Sequence, residues 1–145
     1  MGYTHYWKRP AKLPAKKFAV ASATCKAACE LLTKQTGIPI VQEFNNNDPP
    51  TFSEDTVWFN GKGEDGHESF VIQRQDMDYE RDKKPTPAKG EQFAFCKTVR
   101  KPYDIHIAVC LVIFEKVFGP KVFKISSDDR EEGFTEARKF VEQLV

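Results

Sequence analysis

Two short stretches concentrate the residue types that bind small charged molecules. The first is Tyr3-Thr4-His5-Tyr6-Trp7-Lys8-Arg9, in which aromatic rings with polar tips adjoin two cations. Such rings stack on a base, and the cations beside them can hold a phosphate. The second is Phe95-Cys96-Lys97-Thr98-Val99-Arg100-Lys101-Pro102-Tyr103-Asp104, with its cations just ahead of an expected helix start. A helix N-terminus presents free amides and the positive end of a dipole to an anion. There Arg100 suits bidentate phosphate contact, Lys97 and Lys101 add point charges, and Thr98 supplies a hydroxyl. The expected binding residues are therefore Tyr3, His5, Tyr6, Trp7, Lys97, Thr98, Arg100 and Lys101. The expected ligand is a nucleotide-like or otherwise phosphorylated small molecule. Strand alternation sends some of the N-terminal rings into a core, and the sequence does not say which.

Signals for catalysis or metal binding are thinner. The histidines are His5, His67 and His106. His106 lies in an apolar stretch and reads as a core residue, His67 sits in a polar loop, and His5 is the one suited to acid/base work. Cys96 stands near cations but lacks an evident base. Cys25 and Cys29, four apart, share a helix face and could hold two corners of a zinc site. No second close Cys/His pair completes it, and both fall in phase with Phe18, Ala21, Ala28 and Leu32, as small core residues do. Asp128-Asp129 and Glu131-Glu132 read as partners of a helix start. Gly61-x-Gly63-x-x-Gly66 matches a dinucleotide fingerprint as a string, but strand-like Ser69-Phe70-Val71-Ile72 follows where a helix should open, so a hairpin turn is expected. No catalytic residue, metal or cofactor is assigned.

These stretches must be positioned by a single domain of 145 residues, long enough to bury a core without staples. The 22 Lys+Arg and 21 Asp+Glu give a formal charge of +1, which argues against a protein that grips long nucleic acid by bulk electrostatics. The total conceals a separation: the first 29 residues carry six Lys/Arg and no acid, whereas Gln42 to Glu68 carries seven Asp/Glu and one Lys. Four cysteines at irregular spacing are not a disulfide framework. The N-terminus has no apolar signal region, and the longest apolar run, Ile105 to Phe114, is too short to span a bilayer. A soluble, cytoplasmic chain without a membrane partner is expected.

The residue pattern predicts a strand over Gly2–Trp7 and a helix from Ala15 to about Thr36, stopped by Gly37 and Pro39. Strands follow over Ile38–Phe44, Thr56–Asn60 and Ser69–Arg74, then an exposed polar loop at about 75–91 and a further strand over Phe93–Lys97. Tyr103–Phe118 has the Ile/Val content of a strand and the length of a helix, and length favours the helix. A strand over Lys121–Ser126 and a helix over Thr135–Val145, with Phe134, Ala137, Val141 and Leu144 as its stripe, close the chain. The order β-α-β-β-β-(β)-α-β-α predicts an α+β domain with one mainly antiparallel sheet and about three helices packed on it.

Gly2-Tyr3-Thr4-His5-Tyr6-Trp7 together with Phe95-Cys96-Lys97-Thr98-Val99-Arg100-Lys101-Pro102-Tyr103-Asp104 resembles a group of uncharacterised small phage and prophage proteins. Trp58-Phe59-Asn60-Gly61 and Lys124-Ile125-Ser126-Ser127-Asp128 extend the likeness in patches. The resemblance implies a counter-defence setting and, with it, a non-enzymatic sponge for a nucleotide second messenger of bacterial immunity. An enzyme acting on a phosphoester or nucleotide through His5, and an inhibitor that meets a host protein through the acidic loops of 45–68, are the alternatives. A homo-oligomer is compatible with any of these.

Overall fold

A computed structural model of the chain describes residues 2–78 and 86–144. Strand β1 (Thr4–Pro10) leads into α1 (Ala15–Thr36), and β2 (Ile40–Val41), β3 (Thr51–Phe52), β4 (Thr56–Gly61) and β5 (Phe70–Gln73) follow. After β6 (Met77–Asp78), β7 (Thr86–Pro87) and β8 (Glu91–Lys97) come α2 (Asp104–Phe118), β9 (Lys124–Ser127) and α3 (Thr135–Gln143). The class is α+β, as the residue pattern predicts.

The strands do not form one sheet. A three-stranded sheet has the order β8-β1-β9; a second is built on β4, which pairs with β2, β3 and β5; β6 and β7 pair alone. All pairings are antiparallel. The hairpin of β4 and β5 is closed by Asn60, whose amide donates to the His67 carbonyl (3.1 Å) and to Ser69 Oγ (3.1 Å), while its carbonyl oxygen accepts from the backbone N–H groups of Gly61 and His67. A β-carbon on Gly61 would lie 2.3 Å from the Asp65 carbonyl oxygen, so the close turn needs a glycine there. Of the expected loop at 75–91, both ends pair as β6 and β7, and residues 79–85 lie outside the described residues.

Helix α1 has the predicted limits, and Gly37 ends it at φ 74° with its N–H on the Thr33 carbonyl. Its buried face is Phe18, Ala21, Ser22, Cys25, Ala28, Cys29 and Leu32. The helix resolves the ambiguity of the Ile/Val-rich stretch in favour of length: α2 is buried on nearly every side and packs between α1 and α3. A segment covered all round can carry β-branched residues in a helix because burial outweighs their small propensity penalty. Phe134 just before α3 and Ala137 and Val141 on it are buried as expected, but Leu144 is exposed beyond the end of the helix.

Candidate functional site

Strand β1 divides its side chains cleanly. Tyr3, His5, Trp7 and Arg9 point inward and Tyr6 and Lys8 outward, with Thr4 also buried on the outer side, its backbone bonded to Asp128. Trp7 is 3% exposed and sits edge-on to Phe70 with centroids 5.4 Å apart. The ring is therefore part of the core, which corrects the expectation that Trp7 stacks on a ligand. Arg9 is also buried: its guanidinium donates to the carbonyls of Pro10 (3.0 Å), Ala11 (3.3 Å), Gln73 and Arg74 (2.9 Å), tying β1 to the end of β5.

At the other end of β1, four of the expected residues meet. The amides of Thr98 and Val99 donate to the Tyr3 carbonyl, and Val99 and Arg100 both adopt positive φ (45° and 59°). This double left-handed turn brings the Arg100 guanidinium 4.0 Å above the centroid of the Tyr3 ring. His5 Nε2 lies 2.9 Å from Asp104 Oδ1, and the Thr98 hydroxyl donates to the same oxygen. Tyr3 donates its hydroxyl to Ser127 Oγ at 3.4 Å, and burial is the main cause raising its pKa.

This cluster is not the open anion site that the helix start leads one to expect. The amides of Asp104, His106 and Ile107 donate to the carbonyls of Lys101 and Tyr103 within the first turn, so three of the first amides of α2 are used. The negative group at the helix start is the protein's own Asp104. Arg100 is answered by Asp129 at 2.9 Å. Nor is His5 placed for acid/base exchange: its side chain is fully buried between Tyr3 and Phe134, and its Nδ1 has no partner. The acids after β9 likewise differ from simple helix-start partners, for Asp128 accepts from the Thr4 amide (2.9 Å) and the Tyr6 hydroxyl (2.7 Å) and holds β1 in place.

The outer face of the three-stranded sheet is more open. The register sets Thr4 opposite Lys97, Tyr6 opposite Phe95 and Ser126, and Lys8 opposite Phe93 and Lys124. Phe93 and Phe95 are 58% and 53% exposed. Tyr6 stacks on Phe93 (5.9 Å, 24°), and Phe93 meets Phe95 at 6.2 Å. A shallow cleft of about 240 Å³ is lined by Tyr6, Lys8, Phe93, Lys124 and Ser126, together with Trp7 and Ile125 between them on their strands. Lys124 is paired with Glu91 at 2.8 Å, whereas among the described residues Lys8 and Lys97 have no ion-pair partner. Of the expected residues Tyr6 and Lys97 belong to this face; Lys101 is half-buried in the turn before α2.

Phe93, Phe95, Lys8 and Lys124 were not among the expected binding residues. The alternation of Glu91 to Lys97 groups Phe93, Phe95 and Lys97, but a hydrophobic face of a strand ordinarily marks the core. Here Ala94 and Cys96 turn inward instead, since Trp7 lies opposite Ala94 and the Cys96 thiol donates to the Glu68 carbonyl (3.5 Å).

Cys25, Cys29 and Cys110 meet where α1 crosses α2, with Cys29 Sγ 3.6 Å from Cys110 Sγ, and burial holds all three thiol pKa values up. Among the described residues, no three Cys, His, Asp or Glu side chains are arranged to hold a metal ion. His106 donates to or accepts from Thr33 Oγ1 at 3.1 Å in the same interface. A groove of about 520 Å³ between α1 and the 39–52 segment contains none of the expected binding residues. No described helix is long and apolar enough to cross a membrane. Set against known proteins, the chain matches no family model, no curated protein and no solved structure.

Proposed function

We propose that the protein binds a nucleotide-like, phosphorylated small molecule without transforming it, and that it does so on the outer face of the three-stranded sheet. The observation that carries this reading is the exposed Tyr6–Phe93–Phe95 surface bordered by Lys8, Lys97 and Lys124. Fully burying a phenylalanine contributes about 1.5–3 kcal/mol, and the fold leaves most of that unclaimed for two adjacent rings. A flat base recovers it by stacking, and the lysines at the rim meet phosphate oxygens. A sponge for a host nucleotide signal, which the resemblance to phage proteins implies, is one use of such a surface.

The test is titration with a panel of mono- and cyclic oligonucleotides, followed by denaturation and mass analysis of the released ligand. Phe93→Ala and Phe95→Ala should each weaken binding about 5- to 150-fold, the range for losing one stacked base. Affinity should fall with added salt. Arg100→Ala, whose guanidinium is already shared between Tyr3 and Asp129, should change affinity little. Binding lost in Arg100→Ala and kept in both phenylalanine variants would move the site to the strand-end cluster and overturn this reading. A chemically altered ligand would establish an enzyme instead.

A further inference from the structure

Strand β8 is an edge. The even-numbered side of its backbone faces β1, as the Thr98 amide on the Tyr3 carbonyl and the Ala11 amide on the Gly90 carbonyl show at its two ends. The odd-numbered groups therefore point away from β1. Lys97 confirms it, since its amide donates to Glu68 Oε1 (2.7 Å) and its carbonyl accepts from the Glu68 amide (3.3 Å). Among the described residues β8 pairs with β1 alone, so the outward N–H and C=O groups of Phe93 and Phe95 have no strand beside them. Natural edges of this length usually carry a proline, a bulge or an inward charge against pairing. Glu91-Gln92-Phe93-Ala94-Phe95-Cys96-Lys97 has none of these between its terminal charges.

The same seven residues are complementary to themselves. Run antiparallel against a second copy with a two-fold axis through Ala94, Glu91 faces Lys97, Phe93 faces Phe95 and Ala94 faces Ala94. Residues 93 and 95 are the ones whose backbone groups point outward, so this register makes each Phe93–Phe95 pair a hydrogen-bonded pair. Opposite charges and opposed aromatic rings are the favourable cross-strand combinations, and both occur twice in the symmetric pairing. A shift by two residues in either direction sets a charge against an aromatic or polar residue and loses the match.

We infer that β8 pairs with β8 of a second copy of this chain, joining two three-stranded sheets into one of six strands. Four backbone hydrogen bonds link Phe93 and Phe95 across the axis, and the Glu91 carboxylate, which meets Lys124 of its own chain at 2.8 Å, is shared with the side chain of Lys97 of the second copy at each end. Glu68 retains the backbone of Lys97, which confines the ladder to those four bonds. The pairing rests on the unpaired backbone edge of β8, and it sets the phenylalanine rings beside one another on the outer face whether or not a ligand stacks there, so it does not depend on the proposed function.

Sedimentation equilibrium of the full chain over about 1 to 500 µM should show a monomer–dimer equilibrium set by mass action. Lys97→Glu and Glu91→Lys each oppose like charges across the axis and should weaken the dimer about tenfold or more; the double exchange restores opposition of unlike charges and should return affinity to within about threefold of the natural chain. Ala94→Cys, on the axis, should cross-link two copies under a mild oxidant. A chain that remains monomeric throughout overturns the inference. So does a dimer whose affinity ignores both single exchanges, or one that the double exchange fails to rescue.

Discussion

Acid should unfold this protein partly through one buried histidine, and the size of that effect can be worked out. His106 is fully buried between α1 and α2, with Thr33 Oγ1 on Nε2 and no partner for Nδ1. Burial lowers its pKa from 6.5 to about 4. A histidine whose folded pKa is depressed takes up its proton more readily in the unfolded chain, so stability is complete above the unfolded pKa and is lost as pH falls below it toward the folded value. With those two values the loss from about pH 8 to about pH 5 is about 2 kcal/mol from this residue alone. His106→Gln keeps a hydrogen-bonding group for Thr33 and cannot titrate. Urea unfolding of both proteins, followed by circular dichroism at each pH, isolates the difference, because contributions from carboxylates are common to both and cancel. The gap between natural chain and variant should shift by about 2 kcal/mol in favour of the variant at the lower pH. An equal pH dependence in the two proteins would refute the reasoning, since it would mean that His106 is as easily protonated folded as unfolded.

Other consequences follow from the strand-end cluster and the core. A β-carbon on Gly133 would lie 2.1 Å from Ser127 Oγ and 2.5 Å from the Tyr3 hydroxyl, so Gly133→Ala should cost about 1–3 kcal/mol and lower Tm, and an unchanged Tm would show that this junction yields freely. Asp104→Ala strips the shared acceptor from His5 and Thr98 and should cost about 2–3 kcal/mol in denaturant unfolding, with Asp104→Asn costing less because an oxygen remains; equal losses would show that the oxygen is not the group that matters. Cys25, Cys29, Cys96 and Cys110 are buried, with thiol pKa values raised by burial, so a thiol reagent should label the native protein only as fast as it opens; rapid labelling would place a thiol at the surface.

Most of the elements were legible because their signals are local. Gly37 can stop α1 wherever the helix lies in the fold, since only a residue without a β-carbon enters the left-handed region at little cost. The spacing of Phe18, Ala21, Cys25, Ala28 and Leu32 marks a buried face whatever that face meets. The short strands β2 and β3 were legible only in part, because two residues of pairing leave no periodicity to read.

The site was legible as ingredients and not as an arrangement. Chain order placed aromatics and cations in two segments, and alternation placed Tyr3, His5 and Trp7 on one side of β1. Which side is core depends on what lies beneath, and Phe70, Phe134 and Asp104 come from positions far along the chain. A helix start looks like an anion site from its residues alone, yet the amides of Asp104, His106 and Ile107 are satisfied within the turn, and its charge is supplied by Asp104. The clearest division is in β8. Sequence by itself determined that Phe93, Phe95 and Lys97 share a face, because a strand alternates with a period of two. Only the tertiary structure decided that this face looks outward: Trp7 leaves room opposite it for Ala94 but not for a ring, and Cys96 finds its partner in Glu68, so the two phenylalanines remain at the surface.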